Sequence, residues 1–121
     1  MQYLLLIYDD ESTYSSMSED KRNAVYGEYG EYTGALQASG ALVGANQLQP
    51  TGTATAVRIR GGEQLVTDGP FAETKEALGG YYLIDVATID EALEWAAKIP
   101  SARYGTIEVR PIVMREAEVA G

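Results

Sequence analysis

The chain has 121 residues, of which 45% are hydrophobic and 22% are charged. This length and composition predict one soluble globular domain and not a disordered segment. The chain contains no cysteine and no histidine, which excludes disulfides, thiolate nucleophiles, Ser-His-Asp triads and imidazole bases. Its formal net charge is −9, so we expect it to repel phosphate backbones and anionic lipids and to bind neither nucleic acid nor a membrane.

We expect no targeting signal at the amino terminus. Residues 3–8 form a short apolar run with no basic segment before it, and Asp9 and Asp10 follow directly. A signal peptide needs a basic start and a longer apolar stretch, and a membrane span needs about 20 apolar residues. Since no cysteine marks an oxidising compartment, we expect a cytoplasmic protein.

The first third of the chain predicts a strand, a helix and a second strand. Residues 3–8 have the length and composition of a strand that is covered on both faces. The helix has two alternative N-caps, Ser16 with an acidic residue at capping-box spacing and Ser18 directly before acidic residues. It stops at Gly40, and residues 41–48 predict the second strand. The apolar stripe of the helix consists of Val25, Tyr29, Tyr32 and Leu36.

The middle of the chain predicts a hairpin followed by a third long strand. Residues 55–60 alternate in polarity, and a Gly-Gly pair at residues 61–62 joins them to residues 64–67. Residues 72–78 form a polar connector with room for one helical turn. A second Gly-Gly pair then opens a strand over residues 81–86.

The last third predicts a helix and a final strand. Thr88 and Glu91 form a capping box at the start of a helix that Pro100 ends. Residues 106–114 predict the final strand, in which Pro111 favours a sheet edge or a strand end.

The order of these elements is β-α-β-β-β-β-α-β, which without the central hairpin is a ferredoxin-like βαββαβ α+β unit. We therefore predict a single domain over residues 1–114 and a C-terminal tail over residues 115–121. Both helices of such a unit cover the same sheet face, so we expect a second copy to cover the other face in a homodimer. Three helical glycines opposite the apolar stripe indicate either a solvent face or a close-packing surface for another subunit: Gly27, Gly30 and Gly34.

Residues 68–76, Asp-Gly-Pro-Phe-Ala-Glu-Thr-Lys-Glu, hold the densest set of reactive side chains. Asp68 either caps its own turn or acts as a carboxylate general base whose pKa is raised by desolvation against Phe71 or nearby tyrosines. Glu73 and Lys75 form either a surface ion pair or a substrate anchor.

Arginines and tyrosines supply the other candidate binding groups. Arg58 and Arg60 share a strand face and either clamp a carboxylate or lie in solvent. Tyr29 is either a core residue or a phenol that hydrogen-bonds a ligand. Tyr81 and Tyr82 point to opposite sheet faces, so only one of them faces a given pocket. No phosphate loop or dinucleotide fingerprint occurs, and we expect no cofactor and no bound metal.

The segment of residues 68–76, followed by Leu-Gly-Gly-Tyr-Tyr at residues 78–82, resembles the signature of the YCII-related, DGPF-type proteins. The likeness continues through most of the chain, in Met-Gln-Tyr at residues 1–3, Gly-Ala-Leu at 40–42 and Glu-Val-Arg-Pro at 108–111. The resemblance implies a dimeric ferredoxin-like α+β barrel. It also implies a small cytoplasmic bacterial protein of uncharacterised function, often encoded beside an extracytoplasmic-function sigma factor.

Some relatives in this family are thought to use a His–Asp pair in a cleft between the sheet and a helix, and a dehydrochlorinase-type lyase is among them. This chain has no histidine. By resemblance, Tyr29 stands where that histidine would be, and Asp68 is the family-motif residue that would act as the base.

Two classes of function follow from these patterns. The favoured interpretation is a dimeric protein that binds a small molecule, such as a small organic acid, in a cleft. Candidate binding residues are Arg58, Phe71, Glu73, Lys75 and Tyr81. The alternatives are a cofactor-independent lyase or isomerase acting on a small organic acid, with Asp68 as base and Tyr29 as proton donor, or a regulatory partner of a sigma factor.

Overall fold

The computed structural model describes residues 1–115 as an α+β fold. The three α-helices are α1 (Glu11–Ser15), α2 (Glu19–Ala38) and α3 (Ile89–Ala97). The six strands are β1 (Gln2–Asp9), β2 (Leu42–Gln47), β3 (Thr55–Arg60), β4 (Glu63–Asp68), β5 (Ala77–Asp85) and β6 (Thr106–Pro111). Two short 3-10 helices lie at Thr51–Thr53 and Pro100–Arg103. The predicted tail lies outside the described residues from position 116 onward.

The main sheet has four antiparallel strands in the order β2-β5-β1-β6. This order is consistent with a ferredoxin-like unit, because the two central strands are the first and third strands of the βαββαβ pattern. β3 and β4 form a separate two-stranded sheet in register from Thr55 opposite Asp68 to Arg60 opposite Glu63. The predicted α+β class is confirmed.

The core lies between the helices and one face of the main sheet. The side chains of β1 alternate strictly, so Tyr3, Leu5 and Ile7 are buried while their neighbours are half-buried. Leu36 of α2 and Ala92 of α3 are fully buried against this face. The apolar periodicity of the sequence therefore locates the buried faces of the strand and the helices.

The helices α2 and α3 pack their core residues against the face of the main sheet just described. The opposite face of the sheet carries half-buried apolar side chains. Cross-strand neighbours on this face include Leu4 with Leu83 and Leu6 with Tyr81. We call this surface the open sheet face; its apolar members are Leu4, Leu6, Tyr8, Tyr81 and Leu83.

The start of the structure differs from the sequence prediction in one helix. α1 was not predicted, and it forms because the Asp10 carboxylate caps it by accepting a hydrogen bond from the backbone N–H of Ser12 at 2.9 Å. Of the two alternative caps for α2, Ser18 is the N-cap, since its hydroxyl oxygen accepts from the Lys21 backbone N–H. Gly40 follows the helix with φ +83°, a conformation that glycine favours.

The strand limits in the second half also need correction. Residues 72–76 form no helical turn, and β5 already begins at Ala77, so the Gly-Gly pair at residues 79–80 lies inside the strand and does not open it. β6 ends at Pro111 instead of residue 114. The predicted Thr88 cap of α3 is confirmed by its bond with the Glu91 backbone N–H at 3.2 Å.

Within residues 1–115, no helix is both long and apolar enough to cross a membrane.

Candidate functional site

A cavity of about 420 Å³ lies between α2, the main sheet and the connector that follows β2. Its walls come from β1, α1, α2, β2 and β5, so distant parts of the sequence meet there. The lining residues are Ile7, Asp9, Glu11, Tyr14, Tyr26, Tyr29, Ala45, Asn46, Gln47, Leu48, Gln49, Pro50, Gly79, Gly80, Tyr81 and Tyr82. This volume falls in the range of small-molecule binding sites, which is about 300–1,000 Å³.

Asp9 is the buried carboxyl group of the cavity. It is the last residue of β1, and the alternation of that strand turns its side chain toward the helices, where it is only 7% exposed. Burial raises the pKa of Asp9 above its ordinary value, while hydrogen bonding from the Tyr14 and Ser101 hydroxyls opposes this effect. The negative charges of Glu11 and Glu76 also raise the pKa of Asp9.

A cluster of hydroxyl groups adjoins Asp9. Ser101 is fully buried in the 3-10 helix before β6, and its Oγ lies 2.8 Å from the Tyr14 hydroxyl and 2.5 Å from the Tyr29 hydroxyl. The Tyr14 hydroxyl also lies 3.1 Å from that of Tyr104. Burial raises the pKa of both Tyr14 and Tyr29. These phenols therefore stay protonated at neutral pH and act as neutral hydrogen-bonding groups.

Glycines near Asp9 allow neighbouring segments of backbone to approach closely. A Cβ atom on Gly105 would overlap the Tyr8 carbonyl oxygen and lie 3.0 Å from the Asp9 Cβ. A Cβ atom on Gly80 would lie 2.9 Å from the Asn46 carbonyl oxygen. Both positions require glycine because the backbones approach closely. A Cβ on Gly79 would lie 3.5 Å from the Asp9 Oδ1, so this glycine leaves space next to the carboxyl group.

Glu11 fastens the connector that forms one wall of the cavity. Its Oε1 accepts a hydrogen bond from the Thr51 backbone N–H at 2.7 Å, and its Oε2 accepts one from the Thr51 hydroxyl at 3.0 Å. The two bonds tie α1 to the segment after β2, across 40 residues of sequence. The short helix α1 thus carries Tyr14, which lines the cavity, and holds the connector that forms another part of the wall.

The structure separates the site residues that the sequence suggested. Tyr29 and Tyr81 are among the lining residues, and so is Tyr82; the Tyr82 side chain is on the helix face of the sheet, whereas the Tyr81 side chain is on the open sheet face. Asp68 lies at the end of β4, exposed and outside the lining, so this chain does not bring it together with Tyr29. The assignment of Asp68 as a base stays a prediction that this cavity does not support. The other four candidates are also exposed and outside this lining: Arg58, Phe71, Glu73 and Lys75. Of these, Arg58 and Phe71 together line a second, more open cavity between β3 and the turn after β4.

Sequence reasoning missed Asp9, Tyr14 and Ser101. A signal for Asp9 was present, because it continues the alternation of buried positions 3, 5 and 7 and so predicts an acid on the core side of a strand. Ser101 gave no such signal, since its partners Tyr29 and Tyr14 are 72 and 87 residues away in sequence.

The charges around the cavity bear on the expected ligand and cofactor. Asp9 and Glu11 are the acidic residues among those that line it, and the lining residues include no lysine or arginine. An organic acid would therefore find no cationic partner within the lining. Among residues 1–115 no cluster of acidic side chains has the arrangement of a metal site.

Comparison with known proteins agrees with the resemblance carried by residues 68–76. The family model described as the YCII-related domain matches residues 1–116. The chain is also similar to the uncharacterized protein R00369 of Rhizobium meliloti (strain 1021), with 40% identity over 116 residues that cover 94% of each chain.

Proposed function

We propose that this chain, which belongs to the YCII-related domain family, binds a small organic molecule in the cavity beside Asp9. The observation that carries this proposal is an acidic residue, Asp9, that is only 7% exposed and lines a cavity of about 420 Å³. Burying a carboxyl group is costly unless its environment compensates. A cavity that keeps such a group next to open space is better suited to a ligand than to packing alone.

The walls of the cavity favour a ligand with an apolar body and few polar groups. Ile7, Ala45, Leu48 and Pro50 supply apolar surface, while Asn46 supplies an amide at one side. Ligand sites commonly combine a mostly apolar wall with a few placed polar groups that fix orientation.

A fragment screen with a blocked variant tests this function. The full-length ¹⁵N-labelled protein is titrated with a fragment library, and binding is followed by amide chemical shifts of the lining residues. Ala45→Trp fills the cavity from β2 and should abolish these shifts. Val43→Trp is the matched control, because Val43 lies on the same strand, is 51% exposed and is outside the lining. Fragments that bind the native protein and Ala45→Trp equally well would contradict the proposal.

A second candidate function is acid–base catalysis at Asp9, which the raised pKa of this buried carboxyl group favours. In this reaction the Asp9 carboxylate accepts a proton from the bound molecule. The protonated phenols of Tyr14 and Tyr29 exchange their bonds with Ser101 for hydrogen bonds to the anion that forms. This keeps the hypothesis of a cofactor-independent lyase or isomerase but gives the base role to Asp9. With a substrate in hand, Asp9→Asn should abolish turnover and Asp68→Asn should retain it; the reverse result would restore Asp68 as the base.

The open sheet face supports assembly as a homodimer. Leu4, Leu6, Tyr8, Tyr81 and Leu83 form an apolar surface there, and a second copy packed sheet to sheet would bury it. Leu6→Glu should convert the dimer to a monomer in sedimentation velocity. A native protein that sediments as a monomer at every concentration would count against this assembly. Association with a sigma factor and a cytoplasmic location stay predictions.

A further inference from the structure

We propose that the cavity binds a small organic cation, a substituted ammonium group on an apolar body. This ligand class rests on the proposed small-molecule function, and it differs from the organic acid that the sequence suggested.

The charge of the cavity is the first reason. The lining contains the carboxyl groups of Asp9 and Glu11 and no lysine or arginine. Glu76 adds a further negative charge that acts on Asp9 from the position directly before β5. An anionic ligand would therefore be repelled by like charges, whereas a cation would offset the free-energy cost of burying the charged Asp9 carboxylate.

The aromatic content of the walls is the second reason. Four of the nine tyrosines in the chain line this cavity from the helix side of the main sheet: Tyr14, Tyr26, Tyr29 and Tyr82. Aromatic side chains attract ammonium groups that approach within about 6 Å of the ring face, and recognition of substituted ammonium ions commonly uses such aromatic walls.

The phenol hydroxyls of these tyrosines are largely occupied by other partners. Tyr14 and Tyr29 bond to Ser101. The Tyr82 hydroxyl lies 2.7 Å from the Thr33 hydroxyl of α2. With these groups satisfied inside the protein, the rings contribute mainly aromatic surface to a ligand, and Asp9 provides the charge that a cation recognises.

Three probes of matched size separate charge from shape. Choline carries a trimethylammonium group, 3,3-dimethylbutan-1-ol replaces it with an uncharged tert-butyl group, and 3,3-dimethylbutanoate is an anion of similar size. Each is titrated into the full-length ¹⁵N-labelled protein. We expect choline to shift the amide signals of the lining residues with an affinity at least tenfold higher than that of the alcohol, and we expect no shift from the anion.

Two charge variants connect the selectivity to Asp9. Asp9→Asn should lower the choline affinity at least tenfold while leaving the affinity for the alcohol unchanged. Glu94→Gln should change neither affinity, because it removes one negative charge from an exposed position of α3 that is outside the lining. The amide spectrum of each variant verifies its fold.

The outcomes distinguish the ligand class from the cavity function. If the alcohol or the anion binds as tightly as choline, or if Asp9→Asn leaves the selectivity intact, the cation proposal is overturned and the cavity remains a binding site. If library fragments bind but none of the three probes does, the cation proposal is also overturned. If neither the probes nor any fragment binds the cavity, both proposals fail.

Discussion

Replacing Asp9 by asparagine should change how the stability of this protein depends on pH. The buried carboxyl group holds its proton more tightly in the folded chain than in the unfolded chain, because burial raises its pKa above the ordinary 3.8. At a pH between the Asp9 pKa of the unfolded chain and that of the folded chain, unfolding releases a proton from Asp9. The free energy of unfolding therefore falls as the pH rises through the folded-state pKa.

The size of this effect follows from the separation of the two pKa values. Each unit of separation lowers the stability at neutral pH by about 1.4 kcal/mol relative to acidic pH, where Asp9 is protonated in both states. Asparagine has no charge to desolvate, so Asp9→Asn lacks this loss. Any hydrogen bond that the amide fails to accept from Tyr14 or Ser101 costs about 1 kcal/mol. That cost is similar at both ends of the pH range and cancels when the two ends are compared.

The assay is urea unfolding of the native protein and its variants at a series of pH values between the ordinary aspartate pKa and neutrality. We expect the stability of Asp9→Asn to rise relative to the native protein as the pH increases. Asp68→Asn is the matched control, and it should follow the native curve because Asp68 is exposed. Parallel curves for the native protein and Asp9→Asn would refute the conclusion that burial penalises the Asp9 carboxylate.

Two further substitutions test the framework around the cavity. Ser101→Ala removes the fully buried hydrogen-bond partner of Tyr29 and Tyr14. It should lower the free energy of unfolding by about 1–2 kcal/mol and Tm by about 4–8 °C. An unchanged Tm would show that the hydroxyl cluster adds nothing to stability. Gly105→Ala forces a Cβ atom onto the Tyr8 carbonyl oxygen and should cost about 3 kcal/mol in urea unfolding. Gly34→Ala, its control in open space on α2, should gain about 1 kcal/mol from helix propensity; equal effects of the two alanines would contradict the close approach at Gly105.

Local signals in the sequence predicted much of the fold. The Thr88 capping box and the Gly-Gly pair at residues 61–62 both act through neighbours in the chain, and the structure has the α3 start and the β3–β4 turn at those places. α1 was missed because its five residues have no apolar stripe, and its Asp10 cap was counted only as part of an acidic run. Short helices held by caps and by distant contacts give weak periodic signals.

The candidate site was harder to predict than the fold. Tyr29 was nominated from its place on the helix and does line the cavity. Asp68 was favoured because a Gly-Pro turn and a family signature made it conspicuous, but conspicuous local chemistry does not report which residues the fold brings together. The partners of Asp9 come from α1 and from the 3-10 helix before β6, and no local pattern joins those segments.

β3 and β4 pair only with each other and not with the main sheet. We therefore expect this hairpin to open locally more easily than the main sheet does. A hairpin whose strands pair only with each other is marginal by itself, so its amide protons should exchange through openings that leave the main sheet intact. β1 has a strand on each side, so its amides should be protected until most of the domain unfolds. The most recognisable motif, at the end of β4, therefore begins in the more labile region, while the buried acid is on the most firmly held strand. Substitutions in the hairpin should therefore leave the shape of the cavity unchanged, whereas substitutions in β1 should alter it.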